Sequence, residues 1–257
     1  MAVTGMNVCS AKRLVNFSIE DLITCTGRSN VPPMGDRPFK EHLYEQFARV
    51  GAALGSRQRL ELIDLLAQAP RHVEALAAEV ESPVANVSQH LQALRAARLV
   101  ETQRQGTKVV YRLADESVLA LWLALRSVAE RRLTEVGHVV DEYATDRVSS
   151  AQISRDELEE KLGRGKSVIV DVRPEVEYAS GHLPGAISMP VEHLAKRLRT
   201  LPRDRRIVVY CRGSYCQFAD RAVSILRRKG FDAIRLEGGW PEWRAEGRPV
   251  AGLVPVG

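Results

Sequence analysis

Between Phe39 and Leu66 the apolar residues Leu43, Phe47, Val50, Leu54, Leu60, Ile63 and Leu66 recur at spacings of three and four, the pattern of amphipathic helices. Gly55-Ser56 interrupts it, so two helices are expected, and Pro70 ends the second. Val73, Leu76, Ala77 and Val80 mark a short third helix. Ser82-Pro83 reads as an N-cap followed by proline at the first helical position. It opens a fourth helix with Val87, Leu91, Leu94 and Leu99 on its buried side. The period then changes. The runs 99–104 and 108–113 flank Gln105-Gly106-Thr107, which predicts a β-hairpin with glycine in the turn, a wing beside the helix-turn-helix. A long amphipathic helix is expected over about Ser117–Val140. Its residues Leu119, Trp122, Leu123, Leu125, Val128, Leu133 and Val136 exceed what one face can bury against a small domain, so a dimer interface is the economical use of the surplus.

The polar stretch 144–151 loses this pattern and reads as a linker. Beyond it β-like and helical runs alternate, at Val168–Val172, Glu192–Arg199, Ile207–Tyr210, Gln217–Lys229, Ala233–Leu236 and Trp240–Glu246. That alternation implies a parallel sheet with helices on both faces. At the other end, residues 1–33 lack periodicity and close on Val31-Pro32-Pro33, making 1–35 a tail. Met34 opens the helical segment directly, so the tail is either translated upstream sequence or a genuine flexible arm. The layout is a tail (1–35), a mainly α winged helix-turn-helix domain (36–143), a linker (144–151) and an α/β domain (152–257).

With 257 residues, 45% hydrophobic and 27% charged, the chain is long enough for two cores. Its most apolar stretches, Val118–Leu125 and Ser167–Val172, fall short of the ~18 residues that would suggest a membrane span. Lys12-Arg13 is followed by only two apolar residues, so a secretory signal is not expected and the cytoplasm is the default compartment. Four cysteines, Cys9, Cys25, Cys211 and Cys216, are too few and too uneven for a disulfide framework. As thiols, they raise the question of reactivity or metal binding.

The net charge of +5 is mild, and its placement says more. On the fourth helix Asn86, Ser88, Gln89, His90 and Gln92 occupy outward positions, the short polar side chains that a helix in a major groove needs. Around them Arg95, Arg98, Arg104, Lys108 and Arg112 stand against a single acid, Glu101. Such a basic cluster meets phosphates.

The segment Val87-Ser88-Gln89-His90-Leu91 with Leu94, then Leu99-Val100, Arg104-x-Gly106 and Tyr111-x-Leu113, resembles the ArsR/SmtB family of repressors over roughly residues 39–140. The resemblance implies a homodimer on a double-stranded DNA operator of two half-sites, with the first and last helices pairing the subunits. It also raises metal sensing. Where that family carries Cys-x-Cys in the third helix, this chain has His72 and Glu74, and the last helix offers Asp115 and His138 without the paired spacing. Soft thiolate ligation is lost, and no metal or cofactor is expected.

Cys211 follows an apolar strand, and Cys211-Arg212-Gly213-Ser214-Tyr215-Cys216 leads into a helix. A nucleophilic cysteine must be largely thiolate at neutral pH, and the positive end of a helix with cationic neighbours lowers its pKa. An amide nest around Cys211 is therefore expected, with Arg212 able to draw an anionic donor such as thiosulfate. Asp171-Val172-Arg173 with Glu177-Tyr178, Gly181-His182-Leu183-Pro184-Gly185-Ala186, the Cys211 loop, and Glu237-Gly238-Gly239-Trp240 with Trp243 resemble a single rhodanese domain. The resemblance implies that Cys211 takes sulfane sulfur from thiosulfate or a persulfide and passes it to a thiophilic acceptor, with Arg212, Gly213, Ser214, Tyr215 and Cys216 as the binding loop. Asp171, Arg173, Glu177 and His182 are then mainly architectural. A related phosphatase loop needs an arginine where Gln217 stands, which argues against phosphatase chemistry. Cys216 keeps two readings: a thiol that resolves a Cys211 persulfide, or a small packed residue. At the level of function the leading reading is a DNA-binding regulator that carries an active sulfurtransferase, and the alternative is one whose rhodanese domain no longer turns over and only senses persulfide or oxidant. An enzyme that uses its helix-turn-helix only to dimerise is less favoured.

Overall fold

The computed structural model describes residues 37–143, 152–162 and 167–252. The tail, Cys9, Cys25 and the linker lie outside them. By contacts the chain divides into 1–48 and a larger compact unit, 49–257.

Helix α1 (Arg37–Leu54) crosses that division and is followed by α2 (Arg57–Gln68), with the break at Gly55-Ser56 as the pattern predicts. Next come β1 (Arg71–His72), α3 (Val73–Glu79) and α4 (Val84–Ala96), then the hairpin β2 (Val100–Gln105) and β3 (Lys108–Leu113). Gly106 makes the hairpin turn at φ +61°, where a side chain would be strained. Strand β1, too short to show a period, joins the hairpin in the order β1-β3-β2, with Arg71 opposite Tyr111. Leu62, Ile63, Leu66, Leu76, Val87, Leu91, Leu94 and Leu119 form the core beneath.

Two expectations are corrected. Ser82 does not cap α4: Pro83 takes the cap position without a side-chain bond, and the Ser82 hydroxyl instead accepts from Asn86 Nδ2 at 3.0 Å. The long last helix is two, α5 (Glu116–Arg132) and α6 (Thr134–Tyr143). Leu133 between them is extended, at φ −108° and ψ 105°. Glu135 then sits at the positive end of the new helix, a favourable restart that apolar spacing alone does not reveal. Of the apolar residues counted as surplus, Leu125, Val128 and Leu133 remain exposed, joined by Leu121 and Val139, whereas Leu119 is fully buried and Trp122 and Leu123 pack partly against the core.

The rest is an α/β layer built from β4 (Gln152–Ile153), α7 (Arg155–Lys161), β5 (Ser167–Asp171), α8 (Glu175–Ser180), β6 (Ile187–Ser188), α9 (Val191–Arg197), β7 (Arg206–Tyr210), α10 (Gln217–Arg228), β8 (Ala233–Leu236) and α11 (Trp240–Ala245). The five strands are parallel in the order β4-β8-β7-β5-β6. Side chains alternate across β7, with Ile207 and Val209 in one buried cluster and Val208 and Tyr210 in the other. Both faces are thus covered, which a parallel sheet requires. Because β7 is the central strand, the chain emerging at Cys211 lies at the carboxyl end of the sheet, where such folds place their sites.

Candidate functional site

The loop that follows β7 is held by its carbonyls. Cys211 O accepts from Trp240 N at 3.1 Å, and Gly213 O from Cys216 N at 3.2 Å. Arg235, buried in β8 and paired with Asp220 at 2.5 Å, donates through Nη2 to Gly213 O at 3.0 Å and Ser214 O at 2.8 Å. Gln68 of α2, also buried, donates to Arg212 O at 2.9 Å. Gly213 runs at φ +145°, and the loop lies on Gly239, where an added Cβ would come within 2.4 Å of Cys211 O and 2.5 Å of Gly213 N.

The two thiols sit together inside this loop. Cys211 is wholly buried and Cys216 half-buried. The Cys211 thiol donates to Cys216 O at 3.5 Å and to Gly213 O at 3.8 Å. Burial pushes the Cys211 thiol well up, opposed by the Arg235 charge and the Gly213 amide. The bond from Cys211 lowers Cys216 to about 7, helped by the amides of Phe218 and Arg212. Helix α10 begins after Cys216, its N-cap, so the positive end of that helix faces Cys216.

Arg212 does not project free into the site. Its guanidinium binds Glu177 at 2.6 Å and Glu79 at 3.1 Å. Glu177 is completely buried and is shared with Arg71, itself nearly buried. Glu79 closes α3, and Arg71 lies in β1, so the helix-turn-helix half supplies two of the four charges around the reactive loop. A second set of contacts lies beside it: Arg126 of α5 pairs with Glu242 of α11 at 2.5 Å, and Tyr215 donates to Glu130 at 2.7 Å. Trp122 Nε1 donates at 3.0 Å to Asp64, whose carboxyl burial raises. Ser214 Oγ donates to Glu242 at 3.5 Å.

The remaining motif residues act as scaffolding. Arg173 and Asp171, both buried, form a two-pronged pair that also receives the Tyr210 hydroxyl at 2.6 Å, and Arg173 reaches Gly181 O at 2.7 Å. The His182 ring stacks on Tyr178 with centroids 3.8 Å apart.

On the helix-turn-helix, the candidate DNA-facing residues lie on α4 and on the hairpin. Gln89, Gln92, Arg95, Arg104 and Lys108 are exposed, and Asn86, Ser88 and His90 half-buried. Gln92 Nε2 donates to Tyr111 Oη at 3.4 Å, and Arg112 is paired with Glu101 at 2.6 Å. His72 caps α3, its Nδ1 accepting from Ala75 N at 3.2 Å, and Asp115 caps α5 through Ser117 N at 2.7 Å. Among the described residues no group of three His, Cys, Asp or Glu side chains is placed to hold a metal ion, and no helix is long and apolar enough to cross a membrane.

Sequence reasoning missed Gln68, Arg71, Glu79, Asp220, Arg235 and Glu242. Arg235 had a signal, a charge in the middle of the apolar strand Ala-Ile-Arg-Leu. The other five are ordinary polar positions on helices or beside a proline, and only the tertiary packing gives them a role.

Residues 154–246 match the rhodanese-like domain family and residues 56–102 the arsR family of bacterial regulatory proteins. Over 225 residues the chain is 44% identical to the HTH-type transcriptional regulator Rv0324 of Mycobacterium tuberculosis, spanning 87% of this chain and 98% of that protein. A sulfurtransferase of Allochromatium vinosum is 30% identical over 108 residues, 41% of this chain and 97% of its own. Among solved structures, the homodimeric winged helix-turn-helix DNA-binding domain (fragment 1–100) of Mb0332 from Mycobacterium bovis, a possible ArsR-family transcriptional regulator, is 42% identical. It covers 42% of this chain and 93% of its own, with a TM-score of 0.36.

Proposed function

Because the chain belongs to the ArsR family of bacterial regulatory proteins and carries a rhodanese-like domain, we propose that it is a transcriptional regulator that reads sulfane sulfur at the Cys211 loop. In this reading it works in the cytoplasm and binds an operator as a homodimer. Asn86, Ser88, Gln89, His90 and Gln92 face base edges, and Arg95, Arg104 and Lys108 meet phosphates. The exposed apolar residues of α5 and α6 pair the subunits.

One observation carries the sensing part: Gln68, Arg71 and Glu79 of the helix-turn-helix half grip Arg212 and its partner Glu177, one residue from Cys211. A sulfur atom added at a fully buried thiol has to move the loop around it, and the loop is tied to the end of α3. The same ties support sensing over turnover. The Arg212 guanidinium is already neutralised by two carboxylates and so gives thiosulfate little unpaired charge, while the burial of Cys211 hinders a bulky acceptor.

The deciding measurement is affinity for DNA from the protein's own promoter, before and after treatment with inorganic polysulfide. A change of about tenfold, some 1.4 kcal/mol of coupling, is expected, and it should shrink in Glu79→Gln. Equal affinities in the two states would overturn sensing. Cyanide-dependent thiocyanate formation from thiosulfate, lost in Cys211→Ala, would favour the active sulfurtransferase.

A further inference from the structure

We propose that Cys216 is a resolving thiol, which converts a persulfide on Cys211 into a Cys211–Cys216 disulfide within the loop and releases hydrosulfide. The inference rests on the reading that Cys211 takes up sulfane sulfur, and goes beyond it by naming the stable product.

The placement of the two sulfurs argues for it. Cys211 Sγ lies 3.5 Å from the carbonyl oxygen of Cys216, and the two are the free cysteines among the described residues. Cys211 ends a rigid central strand, clamped through its own carbonyl by Trp240 N, so it has little freedom to turn away. Cys216 stands at the mouth of α10, at the positive end of that helix, where a thiolate is stabilised. Between them Gly213, at φ +145°, folds the loop back so that Cys216 N reaches Gly213 O at 3.2 Å. A packed, inert cysteine would need none of this. The depressed acidity of Cys216, to about 7, agrees with the placement: a nucleophile whose pKa lies near ambient pH attacks fastest.

The chemistry balances without an external oxidant. A polysulfide or persulfide donor first transfers its outer sulfur to Cys211, whose thiol proton goes to the departing shortened thiolate, giving Cys211-Sγ–SH. The Cys216 thiolate, its proton gone to solvent, then attacks Cys211 Sγ. A bond forms between the two Sγ atoms, and the bond from Cys211 Sγ to the outer sulfur breaks, its electron pair leaving with HS⁻. The sulfane sulfur is reduced to sulfide while the two thiols are oxidised to the disulfide. A cellular thiol reductant returns the loop to its starting state.

The test uses the full chain, treated without oxygen with a small excess of inorganic polysulfide, quenched with an alkylating agent and followed by intact mass, peptide mapping and sulfide assay. Wild type should lose two hydrogens, yield a cross-linked 211–216 peptide and release sulfide, whereas Cys216→Ser should gain one sulfur on Cys211 and release none beyond the donor's own. Wild type that instead retains the added sulfur on Cys211 with Cys216 alkylated would overturn the inference and leave Cys211 as the carrier. A disulfide from Cys211 to Cys9 or Cys25 would overturn it as well. No modification of Cys211 in either protein would overturn the underlying reading, and the inference with it. The wild-type result decides on its own, so a poorly folded variant leaves the test intact.

Discussion

At the scale of single residues, the site turns on which sulfur carries the charge. Cys211 and Cys216 differ by five positions, yet one is sealed behind a strand and the other is an N-cap. Burial disfavours the thiolate of the first, and the hydrogen bond it gives favours that of the second. Cys216 is an acid with a depressed pKa, so its thiolate is present above about pH 7 and lost below it. Its alkylation by a neutral reagent should rise about tenfold per pH unit up to that point and level off beyond it, earlier than an ordinary thiol near about 8.5. In Cys211→Ala the stabilising bond is gone and the inflection should move upward. An inflection that stays in place would assign the effect to the helix amides alone. The sequence made Cys211 conspicuous through its motif, but a motif carries no burial, so the more acidic sulfur was not legible. Arg235 shows the complementary case: a charge in a buried strand is readable as an anomaly, though not as the clamp on Gly213 and Ser214 that packing makes of it.

At the scale of elements, the turn from β7 into α10 depends on a second turn, from β8 into α11. Gly239 lets the two backbones touch: its Cα faces Cys211 O and Gly213 N so closely that even one methyl group has no room. Both neighbours are main chain and cannot swing aside. Gly239→Ala should therefore cost about 1–3 kcal/mol, the range for an overpacked site. It should also loosen the thiol pair, moving the inflection of Cys216 alkylation upward and lowering its reactivity at low pH. Thermal unfolding and the alkylation profile together check this, and an unchanged melting temperature would refute the close approach. The elements themselves were largely legible, because α1, α2, α4, the hairpin, β5, β7, α10 and β8 have enough residues to show a period. Strands β1, β4 and β6 have two residues each and show none. The split at Leu133 escaped because the apolar spacing runs on through it, and Ser82 misled because a good cap residue found a side-chain partner instead.

At the scale of the whole molecule, the two families of fold do not hang on a string within residues 49–257. They meet through charges that neither could bury alone. Glu177 is completely enclosed, and it is tolerable there only because Arg71 comes from the helix-turn-helix half and Arg212 from the reactive loop. An alternation pattern or a motif reports on one domain at a time, which is why this junction was invisible in the sequence while each partner fold was plain. Glu177→Gln keeps the shape and removes the charge, so Arg71 is left nearly buried with only Glu79 at 3.5 Å as an ionic partner. The expected cost is about 3 kcal/mol, at the lower end for a broken buried pair because Glu79 still offers partial compensation. Glu79→Gln, a partly exposed partner, should cost no more than about 1 kcal/mol. Calorimetry distinguishes what these charges join: wild type should unfold in one main transition, and Glu177→Gln in two, with the α/β half melting first because it loses the cover over its reactive loop. If Glu177→Gln keeps a single transition at the original temperature, the junction is held by the Arg126–Glu242 pair instead, and the path from Cys211 to the DNA-facing helix runs through α5 rather than α3.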